Sequence, residues 1–430
     1  MKRLIQRGGF LRLIGSAITM QALLSASSFL VGIILIRHAA SAQYGYYVLV
    51  INAIMLLSVL QNSFVQPQLV PRIARATQPQ RADLVGGAFR DQRRLWPIPA
   101  LSCAVAAVLL RLAGRIDTNL VLLLLAAGAA LYTALFREFF RMILLGNRRP
   151  YDVIKGDIAF ISLSIAGAWL ATQSPLPAVF AVGGLALAAY AGGHICARNL
   201  SRTEPWNIAG APGILRAIAP LGAWSAAGGI IHWLFTQGYS YVTAATLDMN
   251  AVAEIAATRL LIMPVNLLST GIGTMMLPTI SGWLDRHTGR TILRRIFLFT
   301  LALAAIALVY FLAVWLLRDW IFTHVFKKQF PDRDVLLALW FAVGILMLFR
   351  DQLIYLLIVR ERFHRLTLMT LLCAVVGLTI SYVGMRQHGA PGALIGVLCG
   401  ELLTVFGIFV FSGLEARARH DRSTTPMTSR

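Results

Sequence analysis

Long apolar runs, each ended by a short polar or basic stretch, recur along the whole 430-residue chain. Runs of about eighteen residues or more are long enough to cross a bilayer as helices. Twelve can be placed, at 11–36, 45–66, 95–112, 118–136, 154–172, 177–196, 214–236, 251–280, 296–317, 334–359, 366–385 and 390–413. None shows the alternation of polarity, in segments of about ten residues, that a transmembrane barrel requires. The pattern predicts an all-α integral membrane protein of about twelve transmembrane helices.

The run AVAEIAATRLLIMPVNLLSTGIGTMMLPTI, Ala251 to Ile280, breaks the apolar pattern most sharply, because it carries a cation. At about 1.5 Å per residue, Arg259 lies roughly 12 Å past Ala251, too deep to reach an interface without strain. Read as one helix, with successive side chains turned by about 100°, the run places Asn266, Thr270 and Gly273 on the side of Arg259. Pro264 interrupts the backbone beside that stripe, and Pro278 marks its far end. Such breaks are tolerated in a bilayer where neighbouring helices or a wet cavity satisfy the freed carbonyls. The expectation is a helix lining a cationic cavity.

Other spans hold polar residues at depth. The run at 45–66 carries Asn52 and Ser63, and Arg37 closes the run before it, where it can snorkel to headgroups. The run at 214–236 has Pro220, Gly228, Gly229 and His232, with Gln237 just beyond. Arg350 and Asp351 are adjacent at mid-span, pointing about 100° apart, which predicts partners on other helices; Glu401, mid-span in the last run, is one candidate. Charges at such depth are costly and mark function or a buried ion pair. REFFRMILLGNRRPYDVIKGD brings Arg137, Glu138, Arg141 and Asp157 close in sequence. It reads as a solvated turn with local ion pairs, or as a mouth that meets an anionic headgroup.

The two halves of the chain echo each other. Setting LVPRIAR at 69–75 against MLPTISG at 276–282 superposes Pro71 on Pro278, Ile73 on Ile280, Ser63 on Thr270 and Asn52 on Arg259. The offset is about half the chain and contains six spans, an even number, so the halves share one orientation: a parallel repeat about an axis along the membrane normal. Residues 1–200 and 214–413 are then two parallel six-helix lobes around a central cavity, with the helices at 45–66 and 251–280 facing each other across it. The Pro- and Gly-punctuated stretch 201–213 reads as the cytoplasmic linker, and 414–430 as a polar, disordered tail.

Composition adds a topology. Hydrophobic residues make up 58% of the chain and charged residues 13%, yet the net charge is +21. With the N-terminus inside, most of the 39 basic residues fall in segments on the same side, which puts both termini in the cytoplasm. The surplus is therefore a topology signal with anionic membrane lipids as its partner, and not a nucleic-acid surface. Leu69, Val70, Ile73, Leu84, Val85 and Phe89 interleave with arginines between the second and third spans, as in helices lying along an interface. The four cysteines fall in or at the ends of apolar spans without metal-ligand spacing, and no cofactor motif occurs. No large outer loop is present of the kind that carries the chemistry of membrane glycosyltransferases or polymerases, so the expected activity is transport and not an enzyme reaction.

LIRHAASAQYGYYVL at 35–49, LVPRIAR, REFFRMILLGNRRPYDVIKGD, AATRLLIMPVNLLSTGIGTMMLPTIS and GALIGVLCGELL together resemble the Wzx-type polysaccharide and O-antigen flippases. These form a branch of the multidrug, oligosaccharidyl-lipid and polysaccharide exporter (MOP) superfamily. Ser41, Ala42 and Gln43 stand where that branch often has a proline and an acid. The resemblance implies the MATE-like fold, a bacterial inner membrane, and an undecaprenyl-diphosphate-linked oligosaccharide moved to the periplasmic leaflet by alternating access for O-antigen or exopolysaccharide biosynthesis. Polysaccharide polymerase and export machinery would be its candidate protein partners. Guanidinium groups suit a diphosphate, since they offer paired donors without losing charge. Arg259 is then the main headgroup contact, Arg350 the second and Arg37 the third. Asn266, Thr270, Asn52 and Ser63 would bond sugar or water, and Asp351, Glu401 and Asp157 are candidates for ion coupling. The alternatives are a cation-coupled multidrug antiporter of the same superfamily and a non-transporting component of a polysaccharide synthase complex; a lipid II translocase would usually carry two further spans.

Overall fold

The computed structural model describes residues 2–147, 149–203, 206, 212–284, 288–359 and 363–424, with side chains described from 19 to 410 apart from 274, 275, 277, 278, 284 and 363. The side chains of the basic residues at 2–12 and of Pro278, the basic residues at 148, 286, 360 and 362, and most of the 201–213 stretch lie outside what is described. In order, the elements are α1 (Lys2–His38), α2 (Ser41–Arg75), α3 (Gln78–Leu95), α4 (Pro97–Leu112), α5 (Thr118–Gly146), α6 (Pro150–Ala171) and α7 (Pro177–Thr203). They continue with α8 (Ile214–Thr246), α9 (Met249–Leu260), α10 (Met263–Leu284), α11 (Gly289–Trp320), a π-helical turn (Ile321–Phe326), α12 (Arg333–Val359), α13 (Phe363–His388) and α14 (Ala390–Thr424). α14 runs past 414, where the sequence predicts a disordered tail, and 425–430 lie outside the described residues.

Among the described residues, eleven helical stretches are long and apolar enough to cross a membrane, and up to twelve if the bent pair α9–α10 is one span. Leu112, Leu170, Leu187, Val309 and Leu316 are each more than two thirds exposed. Side chains of that kind need a hydrocarbon neighbour. The chain is a multi-pass helical membrane protein.

Local chemistry sets the helix ends. Asp117 and Asp248 cap α5 and α9, accepting from the backbone N–H groups of Leu120 at 2.9 Å and Ala251 at 2.8 Å. Thr77 and Gln80 form a capping box at the start of α3. Prolines open α4, α6 and α7, where the missing N–H costs nothing. Gly114 and Gly389 close α4 and α13 with positive φ of 67° and 62°.

The described residues fall into two compact units, 1–233 and 234–430, which divide within α8. In the first, α6 and α7 approach through glycines. A Cβ on Gly184 would come within 2.9 Å of Gly167 Cα, and one on Gly192 within 2.8 Å of Gly156 O. Small residues let membrane helices pack backbone against backbone in this way. The first half of α8 belongs to the same unit, where Gly222 and Gly229 lie against Phe64 and Ser63 of α2. Trp96, at the α3–α4 joint, donates its indole N–H to Gln61 of α2 at 2.9 Å, and Gln61 donates to the Leu135 carbonyl of α5 at 3.0 Å. The second unit repeats the glycine device. Gly377 and Gly384 of α13 sit on Gly396 and Gly392 of α14, where a Cβ on Gly392 would come 2.1 Å from Gly384 C.

Candidate functional site

The span at 251–280 is not one helix. α9 ends at Leu260, α10 starts at Met263, and the two axes differ by 55°. Pro264 supplies the cause: it has no N–H to offer the carbonyl four residues back, and its ring crowds that carbonyl. Tyr310 donates its hydroxyl to the carbonyl of Leu261, within the break, at 2.8 Å. A neighbouring helix thus supplies what the break removes, as bilayer depth demands.

Arg259 stands in the last turn of α9, where a cation also complements the helix dipole. Its Nη1 donates to Gln237 Oε1 at 2.5 Å and to the Tyr239 hydroxyl oxygen at 3.2 Å, both on α8. The guanidinium carbon lies 5.9 Å from the Tyr239 ring centroid and 5.6 Å from that of Trp340. Trp340 is itself pinned by an indole bond to the Ile255 carbonyl at 3.1 Å. Among the described residues, Arg259 is half-buried and makes no ion pair.

The bend undoes the expected stripe. Asn266 and Thr270 sit on α10, beyond the break, and the Thr270 hydroxyl is spent on the Asn266 and Leu267 carbonyls of its own helix, at 3.0 and 3.1 Å. Gly273, further along α10, lies against Tyr355 of α12, whose hydroxyl fills the space a Cβ would take. Ser269, one turn before Gly273, donates to Asp351 Oδ2 at 2.8 Å.

Arg350 and Asp351 do pair with each other, contrary to the expectation from their directions. Nε and Nη2 of Arg350 reach Asp351 Oδ1 at 3.1 and 2.9 Å. The long Arg side chain folds back where the Cβ vectors diverge. Arg350 also donates to Glu401 of α14 through Nη1, the partner the sequence suggests. Glu401 Oε2 and both amide atoms of the neighbouring Gln352 are buried without a hydrogen-bond partner. This cluster holds one cation and two carboxylates.

In the first unit, Asp157 is fully buried and takes Arg137 Nη2 at 2.5 Å and Arg141 Nε at 3.2 Å. Arg137 also lies 3.9 Å from the Phe160 ring centroid, and Arg141 reaches Glu138 at 3.8 Å. The solvated turn expected here is instead a buried, charge-balanced clamp between α5 and α6. Asn52 is buried at the α2–α8 contact, where its carbonyl accepts the Trp233 indole N–H at 3.0 Å and its Nδ2 has no partner. Ser63 packs on Gly229. Arg37 closes α1, half-buried, with Nε unpartnered. Gln237, Tyr239 and Ser269 carry no role in the sequence reading, because neutral residues on separate helices leave no spacing signal.

No family model matches the sequence, and no curated protein does. Solved structures do. An inward-facing multidrug resistance MATE family transporter of the MOP superfamily matches with a TM-score of 0.73 at 14% identity, covering 94% of this chain and 96% of that one. An outward-facing MATE family transporter matches at 0.66 and 14%, covering 97% of each chain. The lipid II flippase MurJ, in an inward closed conformation, matches at 0.69 and 9%, covering 91% of this chain and 86% of that one. This chain has the all-helical MATE-like fold of the MOP-superfamily transporters.

Proposed function

We propose that this protein is a flippase that moves an undecaprenyl-diphosphate-linked oligosaccharide from the cytoplasmic to the periplasmic leaflet of a bacterial inner membrane by alternating access. The observation that carries the reading is Arg259: a cation about 15 Å along α9, held by a glutamine amide and a tyrosine hydroxyl and faced by no carboxylate among the described residues. A charge at that depth needs compensation, and a diphosphate supplies it in the geometry a guanidinium fits. The likeness to MurJ supports a lipid-linked substrate. Arg350 is a weaker headgroup contact than its depth suggests, since two carboxylates already engage it. Arg37 at the end of α1, whose Nε has no hydrogen-bond partner, is a further cationic candidate.

A cation-coupled multidrug antiporter is the second reading, favoured by the likeness to MATE transporters and by the surplus carboxylate in the Arg350–Asp351–Glu401 cluster. Fold likeness alone does not separate the two. Arg259 favours the flippase, because a lone deep cation repels cationic drugs. Arg259→Ala should abolish surface-glycan export while membrane abundance stays normal, and Arg259→Lys should keep part of it. Full export in the alanine variant, or dye sensitivity with normal glycan in cells lacking the protein, would favour the antiporter.

A further inference from the structure

A second polar site lies in the first unit, at the end of the bundle where α1 finishes. Three connections meet there: the α1–α2 turn, the α4–α5 loop shaped by Gly114, and the α6–α7 loop. They enclose a pocket of about 290 Å³ whose walls include Gln43, Tyr46, Arg115, Asp117 and Asn119, over a floor that includes Leu120. That volume is near the lower end of small-ligand sites.

Its polar groups are only partly used. Gln43 spends Oε1 on the Ala178 backbone N–H at 3.2 Å, which leaves its amide NH₂ free. Asp117 spends Oδ1 on capping α5, which leaves Oδ2. The side chains of Tyr46, Arg115 and Asn119 make no hydrogen bond among the described residues. Arg111 Nη1 braces the loop through the Ile116 carbonyl at 3.2 Å. The pocket therefore presents donors and acceptors together, a flat aromatic face, an apolar floor and one charge of each sign.

Balanced charge disfavours a phosphate or an ammonium group. Ligands that match interleaved donors and acceptors carry several hydroxyls, each of which can do both. We propose that this pocket is a carbohydrate subsite that takes one neutral pyranose ring. Tyr46 packs on the ring's C–H face, while Asn119, Gln43 and Asp117 bond its hydroxyls. The inference deepens the flippase reading and rests on it for its biological meaning: the pocket holds a sugar of the cargo.

The test is saturation-transfer NMR on the full-length protein in nanodiscs, with free glucose, galactose, mannose and N-acetylglucosamine as probes and cyclohexanol as the ring without a hydroxyl array. At least one sugar should be saturated by the native protein and cyclohexanol should not. The signal should be lost in both Tyr46→Ala and Asn119→Ala with the melting temperature unchanged; Asn119 is exposed, so its substitution leaves the fold intact. No saturation by any sugar, equal saturation of cyclohexanol, or undiminished signal in both variants would overturn the subsite. Normal surface glycan in cells lacking the protein, with sugar saturation intact, would remove the flippase reading and keep the subsite. Lost surface glycan with no saturation would do the reverse.

Discussion

Four arginines buried or half-buried at depth in this chain meet different fates. Arg137 and Arg141 share Asp157, and Arg350 has two carboxylates, whereas among the described residues Arg259 has a glutamine, a tyrosine and two ring faces and no carboxylate. The paired ones belong to the architecture. Removing one partner of a buried pair leaves an uncompensated charge and costs about 3–5 kcal/mol. Asp157→Ala strands two arginines at once, so membrane abundance and thermal stability should fall sharply. Unchanged abundance would show that the clamp is not structural. Arg259→Ala, which strands only neutral partners, should leave both quantities near normal. The sequence exposes these positions plainly, because a charge inside an apolar run is conspicuous. It hides the partners: a long side chain such as Arg350 can fold back on its neighbour Asp351, and Gln237 and Tyr239 come from another helix with no spacing rule.

Apolar runs marked the helices well, since length and hydropathy are what a bilayer selects. Helix shape was less legible. Pro264 is visible as an interruption, but rotation about a straight axis cannot be carried across a 55° bend. Helix contacts follow glycine spacing, which is read only once partners are known. Gly392 faces Gly384 with no room for a Cβ, whereas nothing lies within 4 Å of a Cβ on Gly183. Gly392→Val should therefore abolish stable insertion, read as membrane abundance and a monodisperse size-exclusion peak, while Gly183→Ala should match the native protein. Equal behaviour of the two variants would contradict the α13–α14 packing.

At the scale of the whole molecule, the fold is shared with MATE transporters and MurJ at 9–14% identity. The pattern of apolar runs carries that fold, and very many sequences satisfy it. Cargo is written in far fewer residues, which is why fold likeness leaves both a drug antiporter and a glycan flippase open and one deep arginine without an ion pair among the described residues weighs so much. The most direct measurement is the leaflet distribution of undecaprenyl-diphosphate-linked oligosaccharide in cells lacking the protein, complemented with the native chain or with Arg259→Ala. The account predicts that the lipid-linked glycan accumulates on the cytoplasmic leaflet without the protein, that the native chain clears it, and that the alanine variant does not. An unchanged distribution on deletion, or full clearance by the alanine variant, would contradict it.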